Sequence, residues 1–370
     1  MKNLKDQNLL FKQRVDERLR RIGNVLLLNA SFIDNPGLLN GKMGIAIFFY
    51  QYSRYTGNKI YGDYAGELID EIYEEINTNT PVDFTNGLTG IGWGIEYLVK
   101  NRFVDADTDE ALADFENAIY RNLLSSPLLL DNGNDLFGYG LYCISRLHGH
   151  ERDDDNLNTL IKKEHLIYLT DECERLLIHK RYLEFNILQL STDTINSILW
   201  FLLEMEKLRI FPSKVKRILK FLPDYITLEQ DENINISNSY ILNNLAKAVA
   251  ENVSDNNLQN QYHAISKKIN GVAFDPLLDE KALFGTLQSI NIQKMINQPY
   301  INSSVSTIEL FEKAFKLIDN EEEWNRILDG LNKSNLGLMG LAGTGLYLVD
   351  ELSLRHSRNV NPKKSAITAR

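Results

Sequence analysis

The 370-residue chain is short of the residue types that would announce its chemistry. Only two cysteines are present, Cys143 and Cys173, which excludes a disulfide framework and a cysteine-rich zinc site. Both fall inside helical patterns and read as small buried hydrophobes. Basic residues are outnumbered, 40 Lys and Arg against 50 Asp and Glu. With no cationic surplus to neutralise phosphates, nucleic acid is excluded as a partner and an anionic membrane surface is disfavoured. Long apolar runs are missing as well. No segment reaches the ~20 residues of a bilayer span, and the start from Met1 to Gln7 mixes charges without the apolar core of a signal peptide. These absences point to a cytoplasmic protein. Strand-type alternation is scarce outside Tyr300 to Ile308, which argues against a strand-built fold.

What is present is enough apolar sequence for a sizeable core, 44% of all residues, gathered around recurring glycine motifs. Gly337 to Leu348 reads G-L-M-G-L-A-G-T-G-L-Y-L. Asn40-Gly41-Lys42-Met43-Gly44-Ile45 and Asn86-Gly87-Leu88-Thr89-Gly90-Ile91 share the form N-G-x-x-G-I, and each leads an apolar run. Between them lie amphipathic helices. Residues 4 to 22 and 61 to 76 place their apolar side chains on one stripe opposite charged ones. Residues 108 to 124 repeat this, with Thr108 as N-cap. The unit is therefore an outer helix with one wet face followed by a glycine-led inner helix with almost none.

Register supports a repeat of nearly constant length. Aligned on Gly44, Gly90 and Gly138, the steps are 46 and 48 residues, and the gap from Gly138 to Gly285 is 147, or three steps of 49. Two glycine-free repeats are then expected near residues 187 and 236. Ser191 to Thr194 ahead of Ile195 to Leu203, and Ile236 to Ser239 ahead of Tyr240 to Val249, supply them. Outer partners are expected near 158 to 179, 213 to 222, 256 to 270 and 306 to 331. The first and last repeats are as apolar and glycine-rich as any, unlike the polar caps of an open solenoid. The expectation is an all-α fold, an α/α toroid of about seven inner and seven outer helices. It forms one domain over residues 1–356 with a polar, disordered tail over 357–370. The glycines Gly41, Gly44, Gly87, Gly90, Gly138, Gly285, Gly340 and Gly343 read as sites of close backbone approach rather than a phosphate cradle. No Lys-Ser/Thr follows them and no strand precedes them.

These motifs resemble the lanthionine synthetase C-like family, whose toroid has seven inner and seven outer helices. The matching stretches are Asn40 to Ile45, Asn86 to Trp93 and Gly337 to Gly343. The resemblance implies a protein of a lanthipeptide-type modification system. The family's enzymes close thioether rings by adding a peptide thiol to a dehydroamino acid, with zinc lowering the thiol pKa. It also implies a Cys at the head of the fifth inner helix, a Cys-His pair at the sixth and a His at the fourth. Here those heads read Asn233-Ile234-Asn235-Ile236-Ser237, Asp279-Glu280-Lys281-Ala282 and Leu190-Ser191-Thr192-Asp193. Zinc is expected to be absent and the cyclase chemistry lost. The remaining role is to bind a peptide substrate or a partner modification enzyme at the mouth of the toroid.

Candidate mouth residues are Glu96, Asp135, Asp193, Asn238, Glu280 and Lys281. Most of these also suit helix capping. Glu280 beside Lys281 is the pair that capping does not require. Glu96 lies inside the second inner helix, where a carboxylate must be hydrogen-bonded, paired or protonated. A structural pairing is one reading. A carbohydrate-active toroid using Glu96 with Asp135, Asp193 or Glu280, about 5 to 9.5 Å apart, is the alternative. His148 and His150 read as cations at a helix C-terminus, and Glu151 to Asn156 as a solvated acidic loop.

Overall fold

The computed structural model describes residues 2–125, 134–149, 157–179, 192–226, 236–271, 295 and 320–360. Among them there is no strand. In chain order the helices are α1 (Lys2–Asn29), α2 (Lys42–Thr56), α3 (Lys59–Glu75), α4 (Leu88–Lys100), α5 (Thr108–Ala111), α6 (Ala113–Ser125) and α7 (Asn134–Gly149). They continue with α8 (Leu157–Glu174), α9 (Thr192–Leu208), α10 (Pro212–Phe221), α11 (Ile236–Asn252), α12 (Asn256–Gly271), α13 (Glu321–Asp329) and α14 (Leu341–Val360). The all-α class read from the sequence is the one the chain adopts. The helices fall into two compact units, one holding α1 to α3, α13 and α14 and the other α4 to α12.

In the first unit α2 is buried without interruption from Lys42 to Phe49 and again at Tyr52, because nothing from Met43 to Phe49 needs water. Its partner α3 buries only Ala65, Leu68 and Ile72, one stripe of an amphipathic helix. Gly57, at φ 72°, ends α2 in a left-handed turn, and Asn58 starts α3 by accepting the Ile60 N–H. Each fully buried Ile or Phe of α2 contributes on the order of 1.5–3 kcal/mol of apolar transfer.

The last inner helix, α14, packs against both α1 and α2. The approach is backbone to backbone. The Met339 N–H donates to the Leu39 carbonyl at 2.9 Å. Gly44 faces Leu338, and Gly337 faces Leu39 and Asn40, so closely that a Cβ on either would overlap them. The final glycine repeat thus lies beside the first. Helix α13 joins this unit through α1: Arg18 pairs with Glu321 at 2.7 Å and its guanidinium lies 5.8 Å from the ring centre of the fully buried Trp324.

In the second unit α4, α7, α9 and α11 pack in series, and α6, α8, α10 and α12 each back one of them. Both glycine-free repeats are there as α9 and α11. Three details depart from the sequence reading. Asp107, not Thr108, caps α5 by accepting the N–H groups of Asp109 and Glu110; Thr108 is itself buried. The helix expected over 108 to 124 breaks at Leu112 into α5 and α6. Helix α14 runs to Val360, so the first four residues of the expected tail are helical. Residues 361–370, the strand-like stretch Tyr300 to Ile308 and the 306–319 part of the expected outer helix lie outside the described residues.

Candidate functional site

The heads of α2 and α4 share one construction. Gly41 and Gly87 are N-caps in extended conformation with no side-chain cap bond. The next residue donates its N–H back across the loop, Lys42 to the Asn35 carbonyl and Leu88 to the Pro81 carbonyl, both at 2.9 Å. A Cβ on Gly41 or Gly87 would overlap that same carbonyl, and one on Gly340 would overlap the Asn335 carbonyl. Glycine is required by the close approach. Met43 also donates, to Pro36 at 3.3 Å, so the first amides of α2 are taken by backbone oxygens instead of pointing at an anion. Gly90 and Gly343 lie in the first turns of α4 and α14, and a Cβ at Gly138 would sit 2.6 Å from the Phe84 Cβ.

One charged residue at a head carries a role that the glycine motif does not signal. Lys42, 2% exposed, reaches Glu71 at 2.7 Å and Glu75 at 2.5 Å on α3. Burial opposes its charge, but the two carboxylates outweigh it and hold its pKa above the ordinary lysine value. The signal was legible: Glu71 and Glu75 stand four apart on one face of α3.

Of the candidate mouth residues, Asp135, Asp193 and Asn238 lie in the first turns of α7, α9 and α11. Glu280 and Lys281, with Gly285, lie outside the described residues. Glu96 does not belong with them. It sits eight residues after Leu88 at the start of α4, ~12 Å along the helix, and turns to a different set of partners.

Those partners centre on Arg146 of α7, which is completely buried. Its guanidinium donates to Glu96, to Asp109, to the Thr108 hydroxyl at 2.7 Å and to Glu116 at 2.8 Å. Lys162 of α8 adds contacts of 3.4 Å to Asp109 and 3.5 Å to Glu116. Burial works against the Arg146 charge, yet Tyr142, Glu96 and Glu116 hold its pKa above the usual arginine value. The cluster ties α4, α5, α6, α7 and α8 together and engages Glu96 in a structural pair. That is the structural pairing that a carboxylate inside an apolar helix requires.

The second halves of α4, α7 and α9 enclose a cavity of about 250 Å³. Trp93 and Tyr97 stack along one wall at 5.4 Å. Opposite polar groups include the buried Glu204, bound by His148 at 3.0 Å and by Lys207 at 3.4 Å. His148, expected only as a helix-end cation, therefore has a specific carboxylate partner. The Trp200 indole N–H lies buried here without an acceptor among the described residues.

A sequence model of the family described as lanthionine synthetase C-like protein matches residues 33–240. That is more than half of the chain. The chain belongs to this family. The match runs from just before α2 to the first turn of α11, so it includes the heads at Gly41, Gly87 and Gly138 and the whole Arg146 cluster. No curated protein matches the chain.

The resemblance implies zinc, and the chain's two thiols can be weighed as donors for it. Both thiols of the chain are internal to helices, Cys143 in α7 and Cys173 in α8. Both are buried, and burial pushes each up to about 12. Neither is available as the thiolate that zinc prefers. Among the described residues no group of three or more His, Cys, Asp or Glu is placed to hold a metal ion. The two thiols of this lanthionine synthetase C-like chain do not fit the family's zinc. Among the described residues no helix is long and apolar enough to cross a membrane.

Proposed function

We propose that this lanthionine synthetase C-like protein serves a ribosomal-peptide modification system as a zinc-free, cyclase-inactive member. In this reading it binds a precursor peptide or a partner modification enzyme at the helix heads, in the cytoplasm. The observation that supports this is the state of its thiols. Thioether formation in the family depends on metal-held soft ligands, and the chain's only two cysteines are buried inside α7 and α8. What remains is a helical scaffold whose heads are fixed by backbone contacts. Such a surface suits binding, since loops held against neighbouring backbone lose little further entropy when a peptide arrives.

The test has two arms. Purified protein is expected to carry no stoichiometric zinc by elemental analysis, and one tightly bound equivalent would overturn the zinc-free reading. Immobilised protein is expected to retain a precursor peptide, or the dehydrating enzyme that prepares it, encoded beside the protein's own gene. Failure to retain either would remove the binding role.

A further inference from the structure

A second cavity, of about 580 Å³, lies between α6, α7 and α8 within one compact unit. It is distinct from the helix heads and falls in the size range of ligand pockets. Among the described residues its walls carry Asp109, Glu116 and Glu164 against Lys162, an excess of two negative charges. Lys162 already contacts Asp109 and Glu116. Behind the wall Arg146 pairs with Asp109 and Glu116 as well as with Glu96, and with Glu96 and Arg146 counted the excess is still two negative charges.

Two polar groups in this lining have no hydrogen-bond partner among the described residues. They are the Tyr142 hydroxyl, on a residue 3% exposed, and the His165 Nε2, both buried atoms. Such groups are costly to leave unmet, so their gathering around one cavity marks a place where a bound molecule completes the structure. Burial keeps His165 neutral by lowering its pKa, and it keeps the Tyr142 hydroxyl protonated by raising its own. Neither adds charge to the cavity. His165 stacks on Tyr120 with ring centres 4.8 Å apart, which gives the cavity a flat aromatic face.

We propose that this cavity is an exosite for a basic peptide side chain, an arginine guanidinium or a lysine ammonium. The negative excess attracts a cation, the stacked rings suit a planar guanidinium, and the unmet hydroxyl and imidazole supply further polar contacts. An anion would meet three carboxylates. The inference rests on the reading of the protein as a peptide binder and extends it to a site away from the helix heads.

The probe is N-acetyl-arginine amide, titrated into the full-length chain by calorimetry, with N-acetyl-norleucine amide as the uncharged control. The arginine derivative is expected to bind saturably, more weakly as salt rises, and the norleucine derivative not at all. Tyr142→Phe and Glu164→Gln are each expected to weaken binding about tenfold. Glu164→Gln should leave the melting temperature unchanged, since Glu164 is exposed, and Tyr142→Phe should hold or raise it, since it removes a buried hydroxyl that has no partner among the described residues. Absence of saturable binding, equal binding of the control, or undiminished binding in both variants would overturn the exosite. The outcomes separate from those of the proposed function. Peptide retention that both variants leave intact removes the exosite and spares the helix heads. Arginine binding without retention of any precursor does the reverse.

Discussion

At the heads of α2, α4 and α14 the chain brings backbone against backbone, whereas in the second halves of α4, α7 and α9 it brings side chain against side chain. The heads are built from Gly41, Gly87 and Gly340, each facing a carbonyl that leaves no room for a Cβ. The other halves carry Trp93, Glu96, Arg146, His148, Trp200 and Glu204, buried or half-buried around polar contacts. The first arrangement tolerates almost no change of residue but is chemically plain. The second depends on matched charges and can be changed one partner at a time.

The sharpest way to break this comparison is to add a methyl group where there is no space. Gly340→Ala is expected to cost about 4 kcal/mol and Gly87→Ala about 3 kcal/mol, because backbone on both sides has to move. Denaturant midpoints at constant m-value would measure it. Losses under about 1 kcal/mol would mean the loops yield easily and the heads are not held by close approach.

Next in size is the polar half. Arg146→Met removes the cation from three carboxylates, of which Glu96 alone is cut off from water, and is expected to cost about 3 kcal/mol. Adding Glu96→Gln to that variant should recover part of the loss, since it discharges the stranded group. If the double variant is no more stable than Arg146→Met, Glu96 is not the partner that matters.

The two halves also differ in how far they could be read from sequence. Glycine spacing disclosed the heads because a missing side chain leaves a local, periodic mark. It even led to α9 and α11, whose heads lack glycine, through the near-constant step. The Arg146 cluster left no such mark. Its members come from positions 96, 109, 116, 146 and 162, and no local rule connects residues so far apart. A carboxylate on an apolar helix such as Glu96 signals that it needs a partner, but nothing local says that the partner is Arg146. The same limit hid the Glu204 partner of His148. Thr108 fits the residue type of a cap, and Asp107 one residue earlier, the actual cap, fits it equally well.

A smaller effect tests the surroundings of the second cavity. Burial lowers the His165 pKa, partly countered by Glu116 and Glu164 and reinforced by Lys162. A base whose folded pKa lies below its unfolded value takes up more protons when unfolded. Its contribution to stability is whole above the unfolded value of about 6.5 and is lost as pH falls through the window beneath it. The urea midpoint is expected to drop between pH 7.5 and pH 5.5, and the drop should shrink in His165→Phe, which keeps the stack on Tyr120. An unchanged pH dependence in that variant would assign the drop to other groups.

The smallest expected effect has the opposite sign, and it separates close approach from glycine as such. Gly66 lies within α3, an outer helix, where a Cβ would meet only the Tyr50 hydroxyl at 3.7 Å. That is ordinary contact distance, and the helical backbone suits alanine better than glycine. Gly66→Ala is therefore expected to raise stability by about 0.5–1 kcal/mol, through fewer unfolded conformations and better helix propensity. Measured beside Gly87→Ala, it holds the chemical change constant and varies only the space. If both substitutions destabilise to a similar extent, crowding at the heads is not what glycine serves there. Opposite signs would tie the glycine requirement to the inner-helix heads, where the neighbouring carbonyl leaves a side chain nowhere to go.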